Sequence, residues 1–243
     1  MQLDVDILGK AFEGASGKRH EVLSEMHFSL VAGEVAVLFG PSGCGKSTLL
    51  RIIAGLDSDF EGTVSRPPHL RIGMVFQEPR LLPWRTVEDN VRLVTPPIDD
   101  TRLSALFAAL DLSEHRHHFP GELSLGLARR VALARALAVE PDLLILDEPL
   151  ASLDDALAGR MRDEIAGFAA ARTPRITIFV SHDLDDAVRL GDRLIFLSER
   201  PARILRVVPI ATPRAARSET EIARIKAEIA RRINGGRDER DVS

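Results

Sequence analysis

Tyrosine is absent from the 243 residues, and tryptophan and cysteine occur once each, as Trp84 and Cys44. A single cysteine excludes any disulfide within the chain and points to a reducing, cytosolic compartment. With aromatic residues at 5%, flat faces for stacking exposed bases are scarce. Positive charge is not in excess either. Lysine plus arginine number 32 against 36 acidic residues, a net charge of -4, so no nucleic-acid partner is expected. No apolar run approaches the roughly 20 residues that cross a bilayer. The first residues carry Asp4 and Asp6 between Leu3, Val5 and Ile7, which is unlike a secretory leader. What remains is the composition of a soluble globular protein, 45% hydrophobic and 28% charged. The length suits one large domain, or one domain with a small insert.

The densest chemistry lies at residues 39–49. Val35 to Phe39 is a short apolar run that reads as a strand, and Leu49, Leu50, Ile52, Ile53 and Leu56 recur at helical spacing. Between them, Gly40, Gly45, Lys46 and Ser47 fit a phosphate-binding loop in its strand–loop–helix setting. Glycines let main-chain N–H groups turn inward around a phosphate, and the helix that follows adds its own free N–H groups. Lys46 supplies a mobile positive charge for β- and γ-phosphates, and the Ser47 hydroxyl suits Mg²⁺.

Upstream, Leu3, Val5 and Ile7 alternate with polar residues as in a half-exposed edge strand. A loop or hairpin over Leu8 to Arg19 follows and holds Phe12, which either stacks on adenine or plugs the gap between two sheets. Val22 to Leu30 alternates again. Downstream, Ile72 to Phe76 is a buried strand ending at Gln77, an amide placed to touch a metal or a water. Residues 85–140 read as a helical subdomain inserted between core strands, with Thr86 capping its first helix and further helices over Thr101 to Leu110 and Leu123 to Val139. His115, His117 and His118 invite a metal reading, but their spacing matches no helical ligand pair, and a solvated loop is the simpler account.

Leu143 to Leu146 is fully apolar, as in the centre of a parallel sheet, and ends in Asp147-Glu148-Pro149. Asp147 can hold Mg²⁺ and Glu148 can accept a proton from an attacking water. Arg175 to Val180 is the next strand and ends in Ser181-His182-Asp183, where His182 can donate to a terminal phosphate. Arg193 to Leu197 and Ile204 to Val208 read as a closing strand pair. In the tail, Ile222, Ile225, Ile229 and Ile233 form one apolar helical stripe, to be packed on the parent domain or on another subunit. The domain division expected is 1–212 for the main domain and 213–243 for an amphipathic helix with a charged end.

In this order the pieces resemble the ATP-binding subunit of ABC transporters, over residues 1 to about 210. On that resemblance Phe12 is the adenine-stacking aromatic, and Gly40, Pro41, Ser42, Gly43, Cys44, Gly45, Lys46, Ser47 and Thr48 form the phosphate loop. Gln77 is the Q-loop glutamine. Leu123-Ser124-Leu125-Gly126-Leu127 is the signature motif, Leu143 to Glu148 the Walker B strand, Ala151-Ser152-Leu153-Asp154 the D-loop, and His182 the switch histidine. The resemblance implies an α/β fold: a P-loop NTPase, RecA-like core with an antiparallel β subdomain and an inserted helical subdomain. It implies ATP with Mg²⁺ held by Ser47, Gln77 and Asp147. It implies catalysis by Glu148, His182, Gln77 and Lys46. It also implies a head-to-tail homodimer in which Ser124, Gly126 and Asp154 complete the partner's nucleotide site.

Residues 75–84 and 197–204 narrow the resemblance to importers of nitrate, alkylsulfonates and taurine. That implies import of a small organic or inorganic anion, a permease partner, a periplasmic or extracellular solute-binding protein, and a peripheral place on the cytoplasmic face of the inner membrane. The stretch from Gln77 to Arg92, with exposed-looking Leu81, Leu82 and Trp84, is the expected permease docking site. The signature departs from the family, because Leu125 and Leu127 replace its first glycine and its last residue. Leu125 either slows hydrolysis by obstructing a close approach or points harmlessly into the helical subdomain. The alternative function is an ATP-binding but hydrolysis-poor regulatory or structural subunit.

Overall fold

The computed structural model describes residues 1–14, 17–93, 99–151, 153, 155–170 and 175–234, without the side chains of 233 and 234. The strands are β1 Gln2–Glu13, β2 Arg19–Val31, β3 Val35–Phe39, β4 Glu61–Ser65, β5 Ile72–Val75, β6 Leu143–Asp147, β7 Ile176–Val180, β8 Arg193–Leu197 and β9 Ile204–Pro209. The α-helices are α1 Lys46–Ile53, α2 Val87–Arg92, α3 Asp100–Ala109, α4 Leu125–Ala138, α5 Asp155–Ala169, α6 Leu184–Leu190 and α7 Glu219–Asn234.

They form two sheets. The larger has the order β5-β6-β7-β3-β8-β9, parallel except for the β8–β9 pair. The smaller is antiparallel, with the order β2-β1-β4. The first strand is therefore central, not an edge strand. Gln2, Asp4 and Asp6 alternate with the buried Leu3, Val5 and Ile7 although the strand has a neighbour on each side, since alternation reports the faces of a strand and not its neighbours. The stretch from Leu8 that reads as a loop continues β1 to Glu13, with a register shift between Lys10 and Ala11.

Alternation divides the core. From the central strands, Val37, Leu144, Leu146, Phe179 and Leu194 point to the face covered by helices of the C-terminal half and the 87–138 region. Ala36, Leu38, Leu143, Ile145, Ile178 and Ile195 point to the other face, against β1, β2 and α1. Both faces are covered, so these strands are predominantly apolar, with the buried Thr177 an exception in β7. Ile222, Ile225 and Ile229 of α7 join the first cluster. Burial of such side chains contributes roughly 2 kcal/mol each before ordering entropy is subtracted.

Candidate nucleotide site

Four neighbouring parallel strands deliver the site. In spatial order β5, β6, β7 and β3 end at Gln77, Asp147–Glu148, Ser181–His182 and the glycine-rich loop. Residues far apart in sequence thereby meet along one carboxyl-terminal sheet edge, the usual place for a ligand crevice in such folds.

The loop after β3 is shaped by its glycines. Gly45 has φ 129° and is the N-cap of α1, which has no side-chain cap and no acidic residue in its first turn. The first-turn N–H groups of α1 are thus left for an anion. A Cβ on Gly45 would lie 2.9 Å from both Val22 and Leu23, so β2 leaves no room for another residue there. Pro41, Ser42 and Gly43 are exposed at the crest of the loop, Cys44 is buried beneath it, and Thr48 is half-buried in α1. Lys46 Nζ donates to the carbonyls of Gly40 and Pro41, both at 2.8 Å, which holds the ammonium inside the loop.

Beside it, Asp147 is only 5% exposed. Burial pushes its carboxyl above the usual range. A hydrogen bond with the Ser47 hydroxyl opposes this, the Glu148 charge adds to it, and Lys46 and Arg80 oppose it again. The next residue is held in an uncommon conformation. Glu148 has φ 50°, and its N–H donates to Val180 O at 3.2 Å. Such a left-handed residue costs on the order of 1 kcal/mol, and the turn aims its carboxylate along the sheet edge. Gln77 Nε2 donates to Glu148 Oε2 at 3.4 Å, and His182 Nδ1 lies 3.9 Å from Glu148 Oε1. The carboxylate is flanked by an amide from one neighbouring strand and an imidazole from the other.

Phe12 does not plug the two sheets, because it is 45% exposed. The Lys10 ammonium covers one face of its ring at 4.6 Å from the centroid. Lys10 pairs in register with Leu23, which presses on Gly45, and this connects the Phe12 end of the hairpin to the phosphate loop. Ser124 is the N-cap of α4, its Oγ accepting from Leu127 N at 3.2 Å. Gly126 faces α5, where a Cβ would meet Leu157 Cδ2 at 2.9 Å. Leu125 does not point into the helical subdomain and is 54% exposed, whereas Leu127 packs against the core. No positive φ occurs at 125–127, so the backbone here does not demand glycine. Ser152 and Asp154 lie outside the described residues. His115 Nδ1 is 3.1 Å from His118 Nδ1, and among the described residues no three His, Cys, Asp or Glu side chains gather as a metal set.

Two residues that order the stretch after Gln77 are not apparent from motifs. Asn90 is fully buried. Its Oδ1 accepts from Leu82 N at 2.8 Å, and its Nδ2 donates to the carbonyls of Leu82, Arg85 and Thr86. An amide inside the apolar stripe of Val87 and Val91 is the one signal that could have found it. Arg135 of α4 donates to Pro79 O and Arg80 O. Leu81 and Leu82 are half-buried by these contacts, and of the three apolar residues only Trp84, at 69%, stands exposed.

The chain is similar to known proteins over most of its length. The family model described as ABC transporter matches residues 23–151. The aliphatic sulfonates import ATP-binding protein SsuB 2 of Pseudomonas syringae pv. tomato is 41% identical, over 93% of this chain and 95% of its own. The SsuB protein of Bacillus subtilis is 39% identical, over 86% of this chain and 85% of its own. Among solved structures, the dimeric bacterial ABC transporter cassette MJ0796 superposes with a TM-score of 0.77 at 26% identity, covering 88% of this chain and all of that one. A post-hydrolysis dimer of the same cassette, bound to ADP and phosphate, gives 0.72 at 27% identity, covering 85% of this chain and 99% of that one. With a phosphate loop, a buried aspartate and a flanked glutamate on adjacent strand ends, and with these likenesses spanning most of its length, the chain belongs to the ABC transporter family as an ATP-binding subunit with ATPase activity.

Proposed function

We propose that the protein hydrolyses ATP within a head-to-tail dimer and thereby drives import of a small organic anion of the sulfonate type through a partner permease. The sulfonate class rests on the names of the relatives, which are about 40% identical. Delivery by a solute-binding protein and a peripheral position on the cytoplasmic face of the inner membrane belong to the same proposal. Among the described residues no helix is long and apolar enough to cross a membrane, so the path for the anion falls to the permease.

In the proposed mechanism, Lys46 and the N–H groups of the phosphate loop hold the phosphates of ATP. The residues present suit Mg²⁺: a buried aspartate hydrogen-bonded to a serine hydroxyl offers hard oxygen donors, and this metal takes few protein ligands when phosphates and water complete its shell. Ser47 and Asp147 would hold it, with Gln77 nearby, and it would supply charge neutralisation at the phosphates. Glu148 orients the attacking water and accepts its proton. Gln77 and His182 fix the carboxylate from its two sides, and His182 steadies the terminal phosphate. Phe12 stacks on the adenine with the ring face that Lys10 leaves open. Ser124, Gly126 and Asp154 act on the nucleotide of the partner subunit.

The gathering of Gln77, Glu148 and His182 on adjacent strand ends carries this reading. The substitution Glu148→Gln tests it. ATP turnover should fall by roughly 10²- to 10⁴-fold while nucleotide binding persists and a nucleotide-bound dimer accumulates in solution scattering. Unchanged turnover would remove Glu148 as the base. Uptake of ethanesulfonate by the complex reconstituted with its permease tests the solute class.

A further inference from the structure

We propose that a cavity between α5, α6 and the segment leading into α7 is a binding site for a small oxyanion of the sulfate, phosphate or sulfonate class. This proposal is independent of the transported solute and lies on residues with no part in the nucleotide site. The cavity measures about 240 Å³, and its lining includes Arg162, Asp163, Arg189, Arg214, Arg217 and Ile222. It is smaller than the roughly 300–1,000 Å³ of pockets that enclose drug-sized ligands, which favours a compact ion over a nucleotide.

Four arginines from three parts of the chain surround one space, so their partners decide whether any charge is left over. Arg189 is satisfied, with Asp185 on one side and Glu219 held by both terminal nitrogens. Arg162 reaches Asp185 and Asp186, at 3.4 and 3.2 Å. Arg214 and Arg217 are different. Both depend on the same oxygen, Asp192 Oδ1, with Arg214 Nε at 3.5 Å and Arg217 Nη2 at 3.8 Å. Charge-assisted hydrogen bonds are about 2.8 Å long, so neither is one. The other oxygen, Asp192 Oδ2, already accepts from Val35 N at 2.9 Å.

The remaining contacts of this pair are to main-chain carbonyls. Arg217 donates to Thr212 O, Val188 O and Gly191 O, and Arg214 to Gly33 O. Arg214 Nη1 and Arg217 Nη2 are left without an acceptor and closed to solvent. The Arg217 side chain is 1% exposed. Burial lowers its pKa, Asp192 opposes that, and the neighbouring Arg214 charge adds to it. A guanidinium does not lose its proton in a protein, so two cations share one carboxylate, and two of their donors have no acceptor.

An oxyanion answers the missing acceptors. Its oxygens offer the acceptors that Arg214 and Arg217 lack, and they suit the planar fork of a guanidinium better than a single water does. Arg214, 21% exposed, is the side chain that turns to admit it. Arg217 holds the last carbonyls of α6, and Ile222 anchors α7, so a bound anion ties the C-terminal helix to the element that follows His182.

The test is calorimetric titration of the full chain, saturated with Mg·ADP so that the phosphate loop is filled. Sodium sulfate, inorganic phosphate and methanesulfonate are the probes, with chloride holding ionic strength constant. One saturable site is expected for at least one probe, together with a rise in melting temperature. Preference for methanesulfonate over sulfate and phosphate would mark organic sulfonates as the ligand, and equal affinity would mark any small oxyanion. Arg214→Gln should weaken binding at least tenfold and Arg214→Lys less, while KM for ATP changes less than twofold in both. Absence of saturable heat for all three probes, or binding unchanged in Arg214→Gln, overturns the site. Should Arg214→Gln fail to fold, Arg162→Gln with the sulfate-dependent melting shift decides the matter: loss of the shift supports the site, and an unchanged shift overturns it.

Discussion

The guanidinium of Arg135 donates through Nη1 to the main-chain carbonyl of Arg80 at 2.9 Å, while Nη2 reaches Pro79 O at the same distance. The helix that begins at Ser124 thus grips the chain two and three residues beyond Gln77. Burial lowers the Arg135 pKa, and the two carbonyls accept hydrogen bonds from its guanidinium. These two bonds connect α4 to the backbone that follows Gln77.

Replacing this arginine should therefore do two things. Arg135→Leu removes two hydrogen bonds from a charged donor and leaves their acceptors behind, an effect of about 2–3 kcal/mol. Urea unfolding would measure it. ATP turnover should fall more than tenfold while KM stays within a factor of two, because the loss concerns the placement of Gln77 against Glu148. A change confined to stability would make Arg135 a packing residue only.

Leu125 allows a test of the altered signature. Its side chain is exposed on the first turn of a helix with ordinary dihedrals. Leu125→Gly should change monomer stability by about 1 kcal/mol or less. In the reconstituted complex turnover should rise severalfold if, as in the proposed head-to-tail dimer, the first turn of α4 faces the partner's nucleotide, because the exposed branched side chain would then obstruct that approach. Equal turnover in the two proteins would show that the leucine does not obstruct.

Asp186 makes a pH prediction. Burial, aided by the charges of Asp183 and Asp185 and opposed by those of Arg162 and Arg189, raises its pKa from 3.8 to about 6. The folded state thus binds the proton more tightly than the unfolded state. The stabilisation from this group is fully present below the unfolded value and is lost as pH rises through about 6. Asp186→Asn, which cannot ionise, should match the parent near pH 4 and exceed it by about 1–2 kcal/mol at pH 7.5. Denaturant midpoints at the two pH values give the answer, and a pH-independent difference would contradict the assignment.

Trp84 stands exposed on a loop that Asn90 fixes from inside. Trp84→Ala should leave the melting temperature and the ATPase activity of the isolated protein unchanged. With the permease present, uptake per ATP should fall severalfold. Normal transport would remove this loop as the docking surface. Arg80 is unsuited to the same test, because its guanidinium stacks on Phe76 at 4.2 Å from the ring centroid and its backbone has φ 47°.

The sequence by itself determined the strand–loop–helix at 35–53, the apolar run ending at Asp147-Glu148 and the one ending at His182. Each depends on contiguous residues, and local backbone geometry with burial on both sheet faces leaves little choice there. Only the tertiary structure decided that β1 lies in the middle of its sheet, because strand order follows from pairing between segments distant in sequence. It alone set Gln77 and His182 on opposite sides of Glu148, turned Leu125 outward, and gave Asn90 and Arg135 the carbonyls of a neighbouring loop. Those outcomes depend on which polar groups meet once the sheet and helices have assembled, and no residue spacing within a single segment encodes them.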